Sequence, residues 1–295
     1  MKTPPPHLNR RKLLLGMSAS LSLAPFLSLP GCGGGSSGSN SGSTSTDETD
    51  TGTILEDQDS DSSDTSTGDS DWSAGGTAAM EADFPPADPF ASGLGNPCTL
   101  TSDYTLGPCY FDVDDYQQDI SEGEPGVPMA LVLKLVDQYC EPIAGADIEV
   151  WFVNWEGLYS GNTDGSSNTR SFNSGYCTAG DQAALGSRWF RGVQTTDSNG
   201  LVYFKCCFPG WYASRTTHIH FKVVRNSSEA LVSQFCFDDS LANEIYLNHA
   251  EYTGYAKDTD NEWDGVFGDD YSDYQFEVER QWDSSMLAYK AIQIL

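Results

Sequence analysis

Period-two alternation of apolar and polar positions dominates the C-terminal two thirds of the chain. Ala130 to Val136 and Ala146 to Val153 are short apolar runs. Between them lie Cys140-Glu141-Pro142 and Gly145, residues that turn a chain, so the two runs read as neighbouring strands. Asp197-Ser198-Asn199-Gly200 is a strong turn signal, and Leu201 to Phe208 after it forms a strand ending at Pro209-Gly210. His218 to Val224 and Ala230 to Phe237 make a hairpin around Asn226-Ser227-Ser228. Only Ser240 to Asn248 has the length and composition of a short helix. Residues 154 to 190 and 257 to 274 read as long insertions, and loops of that length are commonly functional. Short strands at near-regular spacing predict an all-β sandwich with long loops.

The N-terminal third has a different character. Arg10-Arg11-Lys12 precedes an apolar stretch from Leu13 to Leu29 broken by Pro25, so residues 1–31 read as a signal peptide of twin-arginine-like type. Leu29-Pro30-Gly31-Cys32 resembles a bacterial lipobox, which makes Cys32 the expected lipidated N-terminus and anchors an exported protein in the cell envelope. Residues 32–95 are rich in Ser, Gly, Thr and Asp and contain no Lys or Arg. They are expected to form a disordered acidic leash, leaving residues 96–295 as the folded domain.

Charge narrows the function classes. The 295 residues include 43 Asp and Glu against 15 Lys and Arg, a net charge of −28, and no basic stripe is visible, which excludes nucleic acid as an expected partner. The acidity itself reads as a solvated surface, and no pair of carboxylates stands out as an acid and base couple. After Cys32 come seven cysteines: Cys98, Cys109, Cys140, Cys177, Cys206, Cys207 and Cys236. In an exported chain without CxxC spacing they read as disulfide partners, with at least one left over. Adjacent Cys206 and Cys207 would point to opposite faces of a strand.

The densest chemistry lies in Pro209 to Phe221. On a strand His218 and His220 share one face and can bind one metal ion, while Ile219, Phe221 and Val223 face the core. Tyr212 and Arg215 sit just upstream on the Pro209-Gly210 corner. An isolated HxH pair is by itself more often two strand histidines with no ligand, and single tyrosines more often pack. His249, in a polar stretch, is expected to be exposed.

Together with Gly107-Pro108-Cys109-Tyr110, Gly126-Val127-Pro128-Met129, Cys140 to Ala146, Gly157-Leu158-Tyr159-Ser160, Arg191-Gly192 and Leu231 to Phe235, this segment resembles the intradiol ring-cleavage dioxygenases in their short, secreted form. The resemblance spans roughly residues 105 to 245. It implies a prealbumin-like β-sandwich holding one non-heme Fe(III), with Tyr159, Tyr212, His218 and His220 as ligands. Two phenolates are hard anionic donors that favour the ferric ion. It further implies that Arg215 stabilises the electron-rich substrate ring, that Tyr212 can accept a substrate proton, and that Gln234 lies beside the substrate. The implied reaction opens a catechol between its hydroxylated carbons with O2 and gives a muconate-type product. Cys109 and Gln118 depart from the family pattern, which points to an altered cleft. The insertion from Asn162 to Ser187 is expected to border the site. No counterpart of the family's helical dimerisation domain is present, and oligomeric state stays open. The alternatives are a non-catalytic lipoprotein of the same sandwich architecture that binds catecholates, and one that binds carbohydrate.

Overall fold

The computed structural model describes residues 70–94, 100–161 and 172–295. The export signal, Cys32, most of the expected leash, Cys98 and residues 162–171 lie outside the described residues.

Among the described residues eight strands form two four-stranded sheets. One has the order β4 (Leu201–Cys207), β1 (Pro128–Val136), β8 (Met286–Gln293), β7 (Glu277–Arg280). The other runs β3 (Arg191–Thr195), β2 (Asp147–Trp151), β5 (His218–Arg225), β6 (Ser228–Cys236). All pairings are antiparallel except β1 with β8. The core between the sheets is filled by alternate residues: Met129, Leu131 and Leu133 from one side, Ile148, Val150, Ile219, Phe221 and Val223 from the other. The expected all-β sandwich is therefore what the chain forms.

The β5–β6 hairpin turns where the sequence places it. Asn226 and Ser227 both adopt positive φ, 52° and 61°, the two-residue turn whose twist matches the flanking strands. The expected helix is α3 (Asp239–Asn248), capped by the Asp238 carboxylate accepting from Leu241 N. Two single-turn helices, α1 (Ser174–Cys177) and α2 (Gln182–Leu185), occupy the end of the first insertion.

Three expectations are corrected. The runs expected to be neighbouring strands, β1 and β2, lie in different sheets. Each is interior to its own sheet, and the Asp137 to Gly145 connection carries the chain across the sandwich instead of turning it back. Second, residues 70–94 belong to the folded body rather than to a leash. β1 is apolar on both faces, so Ala130 and Val132, with Leu201 and Leu287, need a cover. Phe90 is buried on them, with Met80, Phe84 and Leu94 alongside, and Trp72 packs against the main core. Third, His249 is buried, with its Nε2 hydrogen-bonding the Ser73 carbonyl at 3.1 Å in this same segment.

The cysteines divide unevenly. Cys109 is bonded to Cys177, and Cys140 is also disulfide-bonded. Of the cysteines read as disulfide partners with at least one left over, Cys206, Cys207 and Cys236 are buried free thiols. Cys206 faces the Met129 carbonyl and Cys207 that of Glu124, one on each side of the strand. Burial pushes the thiols of all three up from their ordinary value.

Candidate metal and catalytic site

The outer face of the β2–β5–β6 sheet carries polar and aromatic side chains where an ordinary sandwich would meet water. Register sets them out in rows: Trp151 opposite His220, His220 opposite Gln234, and Glu149 opposite Lys222. Residues 104 to 112 and the loop through Tyr159 cover this face, so His218, His220 and Tyr159 are all under 5% exposed.

Close backbone contact brings the two tyrosines together. The chain doubles back after β2 at Asn154, whose side-chain oxygen accepts from Glu156 N and Leu158 N and whose carbonyl accepts from Gly157 N and Gly210 N. A Cβ on Gly157, at φ 79°, would stand 2.0 Å from the Trp211 carbonyl oxygen, and one on Gly210 would stand 2.4 Å from that of Asn154. Only glycine at both places lets the Tyr159 loop lie against the Pro209 corner that carries Tyr212.

The four expected ligands converge. Tyr159 Oη lies 3.4 Å from Tyr212 Oη, Tyr212 Oη 3.2 Å from His218 Nε2, and His218 Nε2 3.2 Å from His220 Nε2. Donors about 2 Å from a common first-row ion stand roughly 3 Å from one another, so the spacing suits a single metal. His218 Nδ1 donates to the Thr216 carbonyl at 2.6 Å, which turns the lone pair of Nε2 toward the other three donors. His220 has no hydrogen-bond partner at Nδ1 among the described residues; its ring lies 5.0 Å from Trp151 and nearly parallel to it, at 12°. Among the described residues no group of three or more His, Cys, Asp or Glu could hold a metal, and the two phenols extend the donor set beyond the histidine pair.

Burial governs the electrostatics of all four donors. Burial lowers the His218 imidazole to about 3, with Arg215 adding to the effect, and lowers His220 well below its ordinary value, with His218 and Arg215 contributing. Both rings are neutral at pH 7, the state in which imidazole binds metal. Burial raises both phenols, Tyr159 most strongly, where the neighbouring Tyr212 adds to the effect, while Arg215 pulls both back down. With no cation between them, two buried phenolates cannot coexist; a trivalent ion at their oxygens removes that obstacle.

Arg215 adjoins the same cluster. Its guanidinium donates to Gln234 Oε1 at 2.6 Å and approaches Tyr212 Oη at 3.5 Å. From the other side Nε pairs with Asp264 Oδ2 at 2.8 Å. Burial works to raise the Asp264 carboxyl, but Arg215, Thr216 N and Val266 N outweigh it and hold it below the usual range. Asp264 is the functional residue that sequence reasoning missed. It comes from the acidic stretch read only as an insertion, and no local pattern ties it to Arg215. Trp151 and the buried Arg191 carry no assigned role in the sequence reading, although Arg191 is part of the resemblance; Arg191 binds the carbonyls of Cys109 and Ser160 and packs on the Phe111 ring at 4.1 Å. Of the two departures, Cys109 anchors α1 through Cys177, and Gln118 is exposed, taking part through its carbonyl in a bond from Lys205 N.

A β-sandwich whose outer sheet face gathers two phenols, two neutral imidazoles and an oriented arginine has the makings of a mononuclear metalloenzyme of oxygen chemistry. A family model described as Dioxygenase matches residues 104–277. Among solved structures, the chain is similar to an intradiol ring-cleavage dioxygenase from Tetranychus urticae: 28% identity, TM-score 0.56, covering 67% of this chain and 95% of that one. A second dioxygenase crystal structure gives 30% identity and TM-score 0.56, over 67% of this chain and 94% of that one. The chain belongs to the intradiol ring-cleavage dioxygenase family. Members of this family are generally non-heme Fe(III) enzymes.

Proposed function

We propose that this protein is an exported, lipid-anchored Fe(III) dioxygenase that opens catechol-type rings between the two hydroxylated carbons to muconate-type products. The observation that carries this reading is the convergence of Tyr159, Tyr212, His218 and His220 beside Arg215. Those four residues would hold the iron. When bound, ferric iron would chelate the catechol and, as a Lewis acid, ready its ring for O2.

The chain's own groups have separable tasks. His218 and His220 stay neutral and keep their donor atoms fixed. Tyr212, next to the guanidinium of Arg215, is the group placed to take a catechol proton at its oxygen. Arg215 sets a permanent cation beside the substrate position, where negative charge on the ring is stabilised. Asp264 and Gln234 hold that guanidinium from two directions, so it need not reorganise during the reaction. Cys32 in its lipobox, the arginine pair and a disulfide at Cys109–Cys177 support export and anchoring.

Purified protein loaded with ferric iron should be burgundy from phenolate-to-iron charge transfer, should change colour with catechol, and should consume oxygen. Tyr159→Phe should weaken the band. A protein that stays colourless after ferric reconstitution would count against the reading. Mass spectrometry of the mature N-terminus separately tests the anchor, which requires a lipidated Cys32.

A further inference from the structure

The donor set is closed on most sides. Tyr159, His218 and His220 are buried, and Gly107, 3.6 Å from His220 Cε1 when given a Cβ, brings the 104–112 loop down over them. Tyr212 and Arg215 are the half-buried members, so among the described residues the site opens on their side. Tyr176 of α1, also half-buried, stands on that side too. Its ring meets that of Tyr212 edge-on, with centroids 6.4 Å apart and planes at 84°.

This ring is unusually well fixed for one in an insertion. Cys177, its neighbour, is bonded to Cys109, and the Cys177 carbonyl accepts from Tyr159 N at 2.9 Å. Asn173 caps α1 through Tyr176 N and itself donates to the Pro108 carbonyl. The backbone carrying Tyr176 is thus tied to both the 104–112 loop and the Tyr159 segment, and cannot withdraw without disturbing a metal donor.

We propose that Tyr176 is a specificity-determining residue, a fixed aromatic wall on the open side of the site that admits small catechols and rejects those with a bulky ring substituent. The proposal rests on the function proposed above and concerns which catechols reach the site. A rigid wall discriminates by sterics, and loss of such a contact is worth on the order of tenfold to a hundredfold between substrates.

The test uses the full-length ferric protein with catechol and 4-tert-butylcatechol, measuring kcat/KM for both. Anaerobic dissociation constants come from the visible charge-transfer band. Tyr176→Ala should raise the ratio of 4-tert-butylcatechol to catechol by about tenfold or more, chiefly in KM and in the dissociation constant. Tyr176→Phe should keep the wild-type ratio. Tyr176→Leu, which retains apolar packing, should give an intermediate ratio and stands in if the alanine variant does not fold. An unchanged ratio in both smaller variants overturns the wall, as does a Phe variant that moves the ratio as far as Ala. If catechol itself neither shifts the band nor is opened by the wild-type protein, the function proposed above falls and the size limit with it. If catechol is opened and the ratios do not move, only the wall falls.

Discussion

His220 reaches its orientation with no hydrogen-bond partner at Nδ1 among the described residues, and that sets it apart from His218. A ligand imidazole is ordinarily held through its second nitrogen, as His218 is by the Thr216 carbonyl. For His220 the stacked indole of Trp151 does that work, across the strand pair where the two residues face each other in register. Replacing Trp151 by Ala should therefore lower ferric affinity by roughly 10- to 100-fold, while Trp151→Phe keeps much of it. Titration with ferric ion, followed by visible absorbance and by quenching of Trp fluorescence, reads both effects; wild-type affinity in the alanine variant would refute the role. The histidine pair is legible in the sequence because two residues apart on a strand share a face. Trp151 is not, because its partnership with His220 depends on how two distant strands align.

The disulfide shows the same division among elements. Cys109 and Cys177 are separated by 68 residues, and their bond joins the loop over the site to α1, next to the hydrogen bond that holds Tyr159 N. A cross-link closing a loop of that size restrains the unfolded chain by about 4 kcal/mol in the loop-entropy picture. The Cys109→Ser/Cys177→Ser variant should lose on the order of 2–4 kcal/mol in urea unfolding and show a weakened charge-transfer band when loaded with iron, because Tyr159 loses its anchor. Of the eight described strands, β3, β7 and β8 escape the sequence pattern; the positions of β1, β2, β4, β5 and β6 follow from alternation to within a few residues. Their assignment to sheets does not: β1 and β2, adjacent in the chain, face each other across the core because each must pair on both edges within its own sheet.

For the molecule as a whole, two expectations concern stability. In the metal-free protein both site histidines are buried and neutral, with pKa values depressed by burial, His218 to about 3 from an ordinary 6.5. The unfolded chain binds protons that the folded one refuses, so the contribution is fully present above pH 6.5 and is lost as pH falls toward 3. The expected slope is about 1.4 kcal/mol per pH unit for each histidine. Urea midpoints measured from pH 7.5 to 4.5 should fall accordingly, and less steeply for His218→Ala. The second concerns where the folded body begins. A chain starting at residue 70 keeps Phe90 over Ala130 and Val132, whereas one starting at residue 96 exposes that face. The shorter chain should be less stable by at least about 2 kcal/mol, the worth of one buried Phe; equal thermal midpoints would contradict this.

The order of hydrophobic and polar positions by itself determined five of the eight described strands, the β5–β6 turn and the face shared by His218 and His220, while resemblance supplied the set of candidate site residues. These are local properties, fixed by side-chain alternation and turn chemistry within a few residues. Only the tertiary structure decided which strands share a sheet, that Phe90 covers β1, that Asp264 steadies Arg215, and that Tyr159 meets Tyr212. Each of those depends on groups far apart in the chain that burial brings into contact, and the energy of such a contact leaves no periodic mark on the residues that make it.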